Sequence, residues 1–284
     1  MIPSDGSGHL SLHEAAELLG VHYMTIYRRV RLGILPARKI GGTWLVDSAD
    51  LERGTTTPDR GRRRRGGSHP RASIWQQRLQ ARMLGGDVAG SWQVIEAAMA
   101  SGFEPGEIYV RILAPSLHAI GASWRSGRVS IDQEHLASSV AATLIGRLGP
   151  RFVHPGRKKG VVIVAMPPGE RHGLGVAMLA EIIADAGYGV LNLGPDTPTA
   201  SLVAAMRDAG SLAAVVVSVV DIERRTAAGR LLAAARRERP SVPRLVGGNA
   251  VADEGLALAL GADGWVADPR ELGDLIEALR ARAS

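Results

Sequence analysis

Residues 161–175 read Val-Val-Ile-Val-Ala-Met-Pro-Pro-Gly-Glu-Arg-His-Gly-Leu-Gly, and they decide the fold of the second half of the chain. The apolar run at 161–165 predicts a buried strand, and the pattern at 176–186 predicts a helix. A glycine-rich turn between a strand and a helix is typical of ligand-binding loops at the carboxyl edge of a parallel sheet. His172 lies in this turn, with Glu170 two residues before it.

Strand and helix patterns alternate over residues 158–284. Apolar runs predict strands at 161–166, 190–193, 213–219, 244–246 and 264–267. Helical patterns between and after them fall at 174–186, 199–209, 224–237, 251–260 and 271–282. This alternation predicts a doubly wound, five-stranded parallel sheet of flavodoxin-like or Rossmann-like size.

Two further short motifs follow predicted strands, namely Ser218-x-Val220 and Gly247-Gly248. A single histidine such as His172 is by itself most simply an ordinary loop residue. Together, however, Glu170-x-His172-x-x-Gly175 and the two later motifs resemble the cobalamin-binding signature Asp-x-His-x-x-Gly, Ser-x-Leu, Gly-Gly. Glu170 in place of aspartate and Val220 in place of leucine keep the chemical type.

This resemblance implies that His172 replaces the benzimidazole of cobalamin as the lower axial ligand of cobalt. The displaced nucleotide tail would run into the sheet past Ser218 and the two glycines. A carboxylate on the other ring nitrogen fixes the tautomer and raises the basicity of such a ligand. The candidate cofactor-binding residues in this half are Glu170, Arg171, His172, Gly173, Gly175, Leu193, Ser218, Val220, Gly247 and Gly248.

Residues 74–152 show helical patterns only, at 74–84, 87–101, 104–121 and 131–148, which predict a four-helix bundle. By themselves, Trp124 and the pair Glu134-His135 would be a core tryptophan and two residues of a helix amino terminus. Beside the cobalamin signature, this segment resembles the helical cap of methionine synthase and of the photoreceptor repressors of the CarH/LitR group. Trp124-x9-Glu134-His135 matches the motif that marks those photoreceptors.

The resemblance implies that this motif covers the upper face of the corrin. Trp124 would pack against the 5′-deoxyadenosyl group and Glu134 would hydrogen-bond it, with Ile131 and His135 nearby, so adenosylcobalamin is the expected cofactor. Some photoreceptors carry a histidine just after the tryptophan, which takes the cobalt position after photolysis. This chain has Arg125 there, which leaves His135 or water for that role.

Residues 9–53 predict a winged helix-turn-helix. Ser11 and Glu14 form a capping-box pattern at the start of a helix over 12–19, a second helix follows at 22–32, and 36–40 with 43–46 forms a hairpin. This segment resembles the excisionase branch of the MerR-like DNA-binding domains, whose recognition helix enters the major groove. The candidate DNA-binding residues are His22, Tyr23, Thr25, Arg28, Arg29, Arg31, Lys39 and Thr43.

Residues 54–73 form a basic linker that contains four consecutive arginines at 62–65. Its composition predicts a flexible tether that adds salt-sensitive phosphate contacts. The chain has a formal net charge of +6 and no cysteine, which excludes disulfides, zinc–thiolate sites and cysteine nucleophiles. It has neither a long apolar stretch nor a signal-peptide pattern, so a cytoplasmic protein without a membrane partner is expected.

The resemblance implies a multi-domain α + α/β regulator that is not an enzyme. It would bind operator DNA as a dark homo-oligomer, a tetramer, act as a repressor, and release DNA when light breaks the cobalt–carbon bond. One alternative is a cobalamin sensor that does not respond to light, which Arg125 keeps open. The other is a cobalamin-carrying enzyme subunit, although no catalytic barrel accompanies the DNA-binding segment.

Overall fold

The computed structural model describes residues 9–18, 26, 30, 35, 37–40, 43–47 and 72–283. The chain divides into two compact units, residues 1–71 with 100–102, and residues 72–99 with 103–284. Within the described residues, no helix combines the length and the apolar character needed to cross a membrane.

The amino-terminal unit contains a small antiparallel sheet and a helix. Its elements are β1 His9–Ser11, α1 Leu12–Leu18, β2 Ala37–Ile40 and β3 Thr43–Asp47. The strand order is β1-β3-β2, and β2 pairs with β3 from Ala37 opposite Val46 to Ile40 opposite Thr43, as the predicted hairpin requires. Strand β1 was not predicted, because three residues are too few to show an alternating pattern.

The start of α1 has the predicted capping box. The Ser11 amide donates to the Glu14 carboxylate at 2.7 Å, and the Glu14 amide donates to the Ser11 hydroxyl at 3.3 Å. Ile26 and Val30, the two inward positions of the predicted second helix, are helical and buried. The other residues of that predicted helix lie outside the described residues.

The helical segment forms four helices. Their bounds are α2 Ala72–Leu84, α3 Val88–Ala100, a third helix made of α4 Pro105–Glu107, the π-helical segment Ile108–Leu113 and α5 Ala114–Arg125, and lastly α6 Ile131–Leu148. The π-helical segment was not predicted. It changes the hydrogen-bond register of the helix, and the Gln76 side chain donates to the Arg111 carbonyl at 2.6 Å.

The α/β segment alternates strands and helices as predicted. Its elements are β4 Val161–Ala165, α7 Gly173–Asp185, β5 Gly189–Gly194, α8 Thr199–Asp208, β6 Leu212–Ser218, α9 Arg225–Glu238, β7 Arg244–Gly247, α10 Glu254–Ala259 and α11 Leu272–Ala283. The sheet is parallel, in the order β5-β4-β6-β7. Residues of β4 alternate between two cores, one shared with α7 and α11 and the other with α8 and α9.

The structure corrects the predicted fifth strand at 264–267. Only Gly264 pairs, through a single parallel bridge to Leu245, so the described sheet has four strands. The side chains of Leu275 and Leu279 lie 3.2 and 3.4 Å from the position of a Cβ on Gly264, which shows how closely α11 packs there. The chain then enters the 3-10 turn Pro269–Glu271, which ends any extended run.

The bundle and α7 share one hydrophobic core. Met178 and Ile182 of α7 belong to the same buried cluster as Leu144 and Leu148 of α6. Helix α7 is also the helix that follows the glycine-rich turn. The bundle is therefore packed directly against the element that positions His172.

Candidate functional site

Backbone hydrogen bonds within the turn after β4 stabilise it, and the turn leads directly into α7. The Glu170 amide donates to the Pro167 carbonyl at 3.0 Å, and the Gly173 amide donates to the Arg171 carbonyl at 2.9 Å. Gly169 has φ of +84°, a conformation that favours glycine. Helix α7 begins at Gly173, immediately after His172.

The carboxylate of Glu170 joins two loops and the ring of His172. Its Oε2 accepts from the Val220 amide at 2.9 Å and from the Asp221 amide at 2.8 Å. Its Oε1 accepts from Nδ1 of His172 at 2.5 Å. The Glu170 side chain is completely buried, so these hydrogen bonds replace the water that it loses.

This arrangement fixes the chemistry of His172. Burial alone would raise the pKa of Glu170, but hydrogen bonds from the Asp221 amide, the His172 ring and the Val220 amide outweigh it and lower that pKa. An ionised carboxylate only accepts hydrogen bonds, so Nδ1 is the nitrogen that donates, and in a neutral ring this tautomer leaves the lone pair on Nε2. The His172 side chain is 65% exposed, so a metal ion could reach the ring nitrogen that does not face Glu170.

The loop after β5 lies on the same edge, as predicted. The Asp196 amide donates to the Glu170 carbonyl at 2.9 Å, and the Gly169 amide donates to the Asp196 carboxylate at 2.7 Å. Leu193, near the end of β5, is half-buried and packs on the core of the α8–α9 face. Gly173 faces Pro195 of this loop, since a Cβ on Gly173 would lie 3.6 Å from the proline ring.

The ends of β6 and β7 lie side by side. Ser218 is buried and pairs with Gly247, and the Val219 amide donates to the Gly247 carbonyl at 2.8 Å. Gly248 has φ of +99°, and a Cβ on it would lie 2.3 Å from the Val219 carbonyl oxygen. A Cβ on Gly247 would meet no atom of the described residues within 4 Å, so one glycine is needed by the fold and the other borders open space.

Val220, Arg171 and Gly175 complete the predicted set in this half. Val220 contributes its backbone amide to Glu170, while its side chain packs on the core of the α7–α11 face. The hydrogen bond to Glu170 comes from the backbone, so it does not depend on whether residue 220 is valine or leucine. Arg171 is exposed, and a Cβ on Gly175 would meet no described atom within 4 Å.

The predicted cap residues form a separate group at one end of the α5–α6 hairpin. Trp124 is 44% exposed and Ile131 is also exposed, so Trp124 is not a buried core tryptophan. Glu134 accepts a hydrogen bond from the Ser138 hydroxyl at 2.8 Å, and His135 is exposed. This surface therefore exposes two large apolar side chains, which is a feature of binding surfaces.

A functional candidate that sequence reasoning missed is His118. The side-chain amide of Asn249, one residue after Gly248, contacts Nε2 of His118 on α5. Helix α5 therefore reaches the loop that follows β7 at the carboxyl edge. Burial, with a smaller effect from the charge of Arg125, lowers the pKa of His118 and favours the neutral ring. Nothing in the sequence around His118 forms a motif that would have marked it.

The candidate DNA-binding residues are only partly described. His22, Tyr23, Thr25, Arg28, Arg29 and Arg31 lie outside the described residues. Lys39 and Thr43 lie on the two strands of the hairpin, where Lys39 pairs with Trp44 and Thr43 pairs with Ile40. The backbone thus places both residues in the predicted wing.

Comparisons with protein-family models divide the chain in the same way. A helix-turn-helix domain model matches residues 10–53, and two models of a B12 binding domain match residues 75–148 and 160–272. The matches confirm the resemblance on which the cobalamin and DNA-binding expectations were based.

Two curated relatives match parts of the chain. The HTH-type transcriptional repressor CarH of Myxococcus xanthus is 29% identical over 136 residues, which are 48% of this chain and 44% of that protein. Monomethylamine corrinoid protein 2 of Methanosarcina acetivorans is 22% identical over 113 residues, which are 39% of this chain and 52% of that protein. The chain thus spans about half the length of the curated relatives that it matches.

A solved structure is similar in fold. The monomethylamine corrinoid protein of Methanosarcina barkeri superposes with a TM-score of 0.62 at 20% identity, and the match covers 75% of this chain and all of that one. At this identity the likeness shows the fold alone. It confirms a helical segment followed by an α/β segment with a parallel sheet.

Proposed function

We propose that this chain binds adenosylcobalamin and controls operator DNA in response to light. The chain combines a helix-turn-helix domain with B12 binding domains, and so belongs with the CarH-like cobalamin-dependent transcriptional regulators. The observation that carries this proposal is the Glu170–His172 pair. It presents an accessible Nε2 on the same edge as Ser218 and Gly247.

The residues present fit a corrinoid bound through histidine. Glu170 holds His172 in the tautomer that leaves Nε2 as the donor toward cobalt. The open space beside Gly247 provides room for a displaced nucleotide tail, and Ser218 lies next to it in the sheet. The other predicted residues of this half surround the same loops.

The helical segment supplies the second side of the site. The His118–Asn249 contact supports a position of α5 over the carboxyl-edge loops, where Trp124 and Glu134 would meet the adenosyl group. When bound, adenosylcobalamin supplies a cobalt–carbon bond that light breaks. Trp124 would exclude water from the adenosyl side of the cofactor. Glu134 would accept a hydrogen bond from the adenosyl group.

The packing around α7 offers a route from the site to the rest of the molecule. Helix α7 starts one residue after His172 and shares its core with α6, so a shift at the histidine would move a surface of the bundle. In a dark homo-oligomer, several DNA-binding domains act together and raise the effective concentration at an operator. Loss of the oligomer in light would release DNA and relieve repression.

A second candidate is a cobalamin sensor without a light response, which Arg125 favours. The Arg125 guanidinium lies 3.8 Å from the position of a Cβ on Gly121, so the side chain folds back along α5. It offers no imidazole to cobalt after the adenosyl group leaves. The similarity to a corrinoid protein also supports a third function, that of a cobalamin-carrying enzyme subunit. The helix-turn-helix domain favours a regulator that is not an enzyme.

Size-exclusion chromatography with absorbance detection tests the proposal. Protein loaded with adenosylcobalamin in the dark should elute as a large cobalamin-containing species that becomes smaller after green light. The Arg28→Ala and Arg29→Ala variants should keep this behaviour but lose binding to DNA selected from a random-sequence pool. An unchanged size would favour the light-independent sensor, and the absence of bound cobalamin would refute the assignment of His172.

A further inference from the structure

A charged side chain that the predicted site does not include lies over the turn that carries Glu170 and His172. Arg224 ends the 3-10 turn Ile222–Arg224, just before α9. A Cβ placed on Gly169 would be 3.0 Å from both Cζ and Nη1 of Arg224 and 3.1 Å from its Nε. The guanidinium therefore covers the backbone of Gly169, one residue before Glu170.

The Arg224 head group has unused hydrogen-bonding capacity. Its Nε is buried and has no hydrogen-bond partner among the described residues. Asp221 lies 3.6 Å from that nitrogen, which is an ion-pair distance but beyond hydrogen-bond range. The Arg224 side chain is nevertheless 40% exposed, so part of it remains accessible to a ligand.

The neighbouring arginine shows the contrast. Nε of Arg225 donates to the Ala250 carbonyl at 2.6 Å and ties the start of α9 to the loop after β7. Arg225 is thus used by the fold, whereas Arg224 is held in place by packing on Gly169 and by its attraction to Asp221. A ligand that covers the His172 turn would take further water from Arg224, and a desolvated guanidinium needs an oxygen acceptor.

We propose that Arg224 is a cofactor-binding residue that donates hydrogen bonds to an acceptor oxygen of the bound corrinoid. A corrinoid carries two kinds of such oxygen, the amide carbonyls at the corrin rim and the phosphodiester of the nucleotide loop. This inference rests on the proposed function, since it takes cobalamin to bind at His172. Arg224 would thus contribute to specificity, because it would recognise groups at the periphery of the cofactor.

The test compares the full-length chain with the Arg224→Gln and Arg224→Lys variants, with Arg230→Gln as the control. Arg230 is an exposed arginine on α9, the helix that begins directly after Arg224. Hydroxocobalamin and aquacobinamide, a corrinoid without the nucleotide loop, are titrated in the dark and followed by absorbance. Thermal melts without ligand establish that each variant is folded.

Arg224→Gln is expected to raise the Kd for hydroxocobalamin by about tenfold or more, which is the usual effect of losing a charge-assisted hydrogen bond. A similar loss with aquacobinamide would identify a rim carbonyl as the acceptor, and a loss restricted to hydroxocobalamin would identify the phosphate. If both variants bind both corrinoids as tightly as the wild type and Arg230→Gln, the inference is wrong. If the wild type binds neither corrinoid, the proposed function fails as well.

Discussion

The hydroxyl group of Tyr109 donates a hydrogen bond to the carboxylate of Glu181, which joins the π-helical segment of the bundle to α7. The Tyr109 ring is buried and stacks on Phe152, with ring centroids 5.0 Å apart and planes inclined by 10°. Glu181 lies on the helix that starts just after His172. This polar contact therefore lies inside the apolar surface that links the bundle to the helix after the His172 turn.

Tyr109→Phe should lower the free energy of unfolding by about 1–2 kcal/mol, because it leaves the half-buried Glu181 carboxylate without its partner. The ring and its stacking on Phe152 remain, so the loss reports the hydroxyl group alone. Urea denaturation of the wild type and the variant measures the difference. Identical midpoints and slopes would contradict this role of the hydrogen bond.

Glu181→Gln should show a stability that depends on pH differently from the wild type. Burial raises the pKa of Glu181 more than the hydrogen bond from Tyr109 lowers it. The folded state therefore binds the proton more tightly than the unfolded chain, and stability from this group is lost as pH rises from the ordinary value of 4.5 through the raised pKa. The glutamine keeps an acceptor for Tyr109 and carries no charge. The melting temperature of the variant, relative to that of the wild type, should increase from pH 4 to pH 8. A difference in melting temperature that stays constant over this range would disprove the effect.

Glu170→Gln should weaken corrinoid binding through His172 by about tenfold or more, because the amide cannot accept all the hydrogen bonds of the carboxylate. Since the pKa of Glu170 is lowered in the folded state, its stabilisation is present above the ordinary value of 4.5 and is lost as pH falls through the folded pKa. The variant should therefore lose less stability on acidification than the wild type. Absorbance titrations and acid unfolding curves measure both effects, and Glu170→Asp, which keeps the charge, is the control.

The sequence predicted the Glu170–His172 pair because both residues belong to one short motif. It did not predict that Glu170 also accepts hydrogen bonds from the Val220 and Asp221 amides. Every residue except proline has a backbone amide, so the residue types at these positions do not indicate the hydrogen bonds. The His118–Asn249 contact joins residues 131 positions apart and carries no pattern either. The prediction of a fifth strand was wrong for a related reason. The apolar pattern at 264–267 does not show that α11 packs closely on Gly264.

Gly247, the last residue of β7, and Gly248, which follows it, should behave oppositely when each is changed to alanine. Gly248→Ala would place a Cβ 2.3 Å from the Val219 carbonyl oxygen in an unfavourable backbone conformation, and should cost about 2–4 kcal/mol of stability. Gly247→Ala meets no described atom and should fold like the wild type, yet it should weaken hydroxocobalamin binding by narrowing the space for the nucleotide tail. Thermal melts and cobalamin titrations separate the two. Equal stability of both variants would contradict the packing argument.

Trp124→Ala should leave the fold almost unchanged but remove the proposed preference for adenosylcobalamin over methylcobalamin. Trp124 is 44% exposed, so its loss removes little core packing. If Trp124 covers the adenosyl group, the Kd for adenosylcobalamin should rise several-fold while that for methylcobalamin changes less. Equilibrium dialysis in the dark measures both constants, and Trp124→Phe, which keeps an aromatic ring, should retain most of the preference. An unchanged ratio of the two constants in Trp124→Ala would place the adenosyl contact elsewhere on the cap.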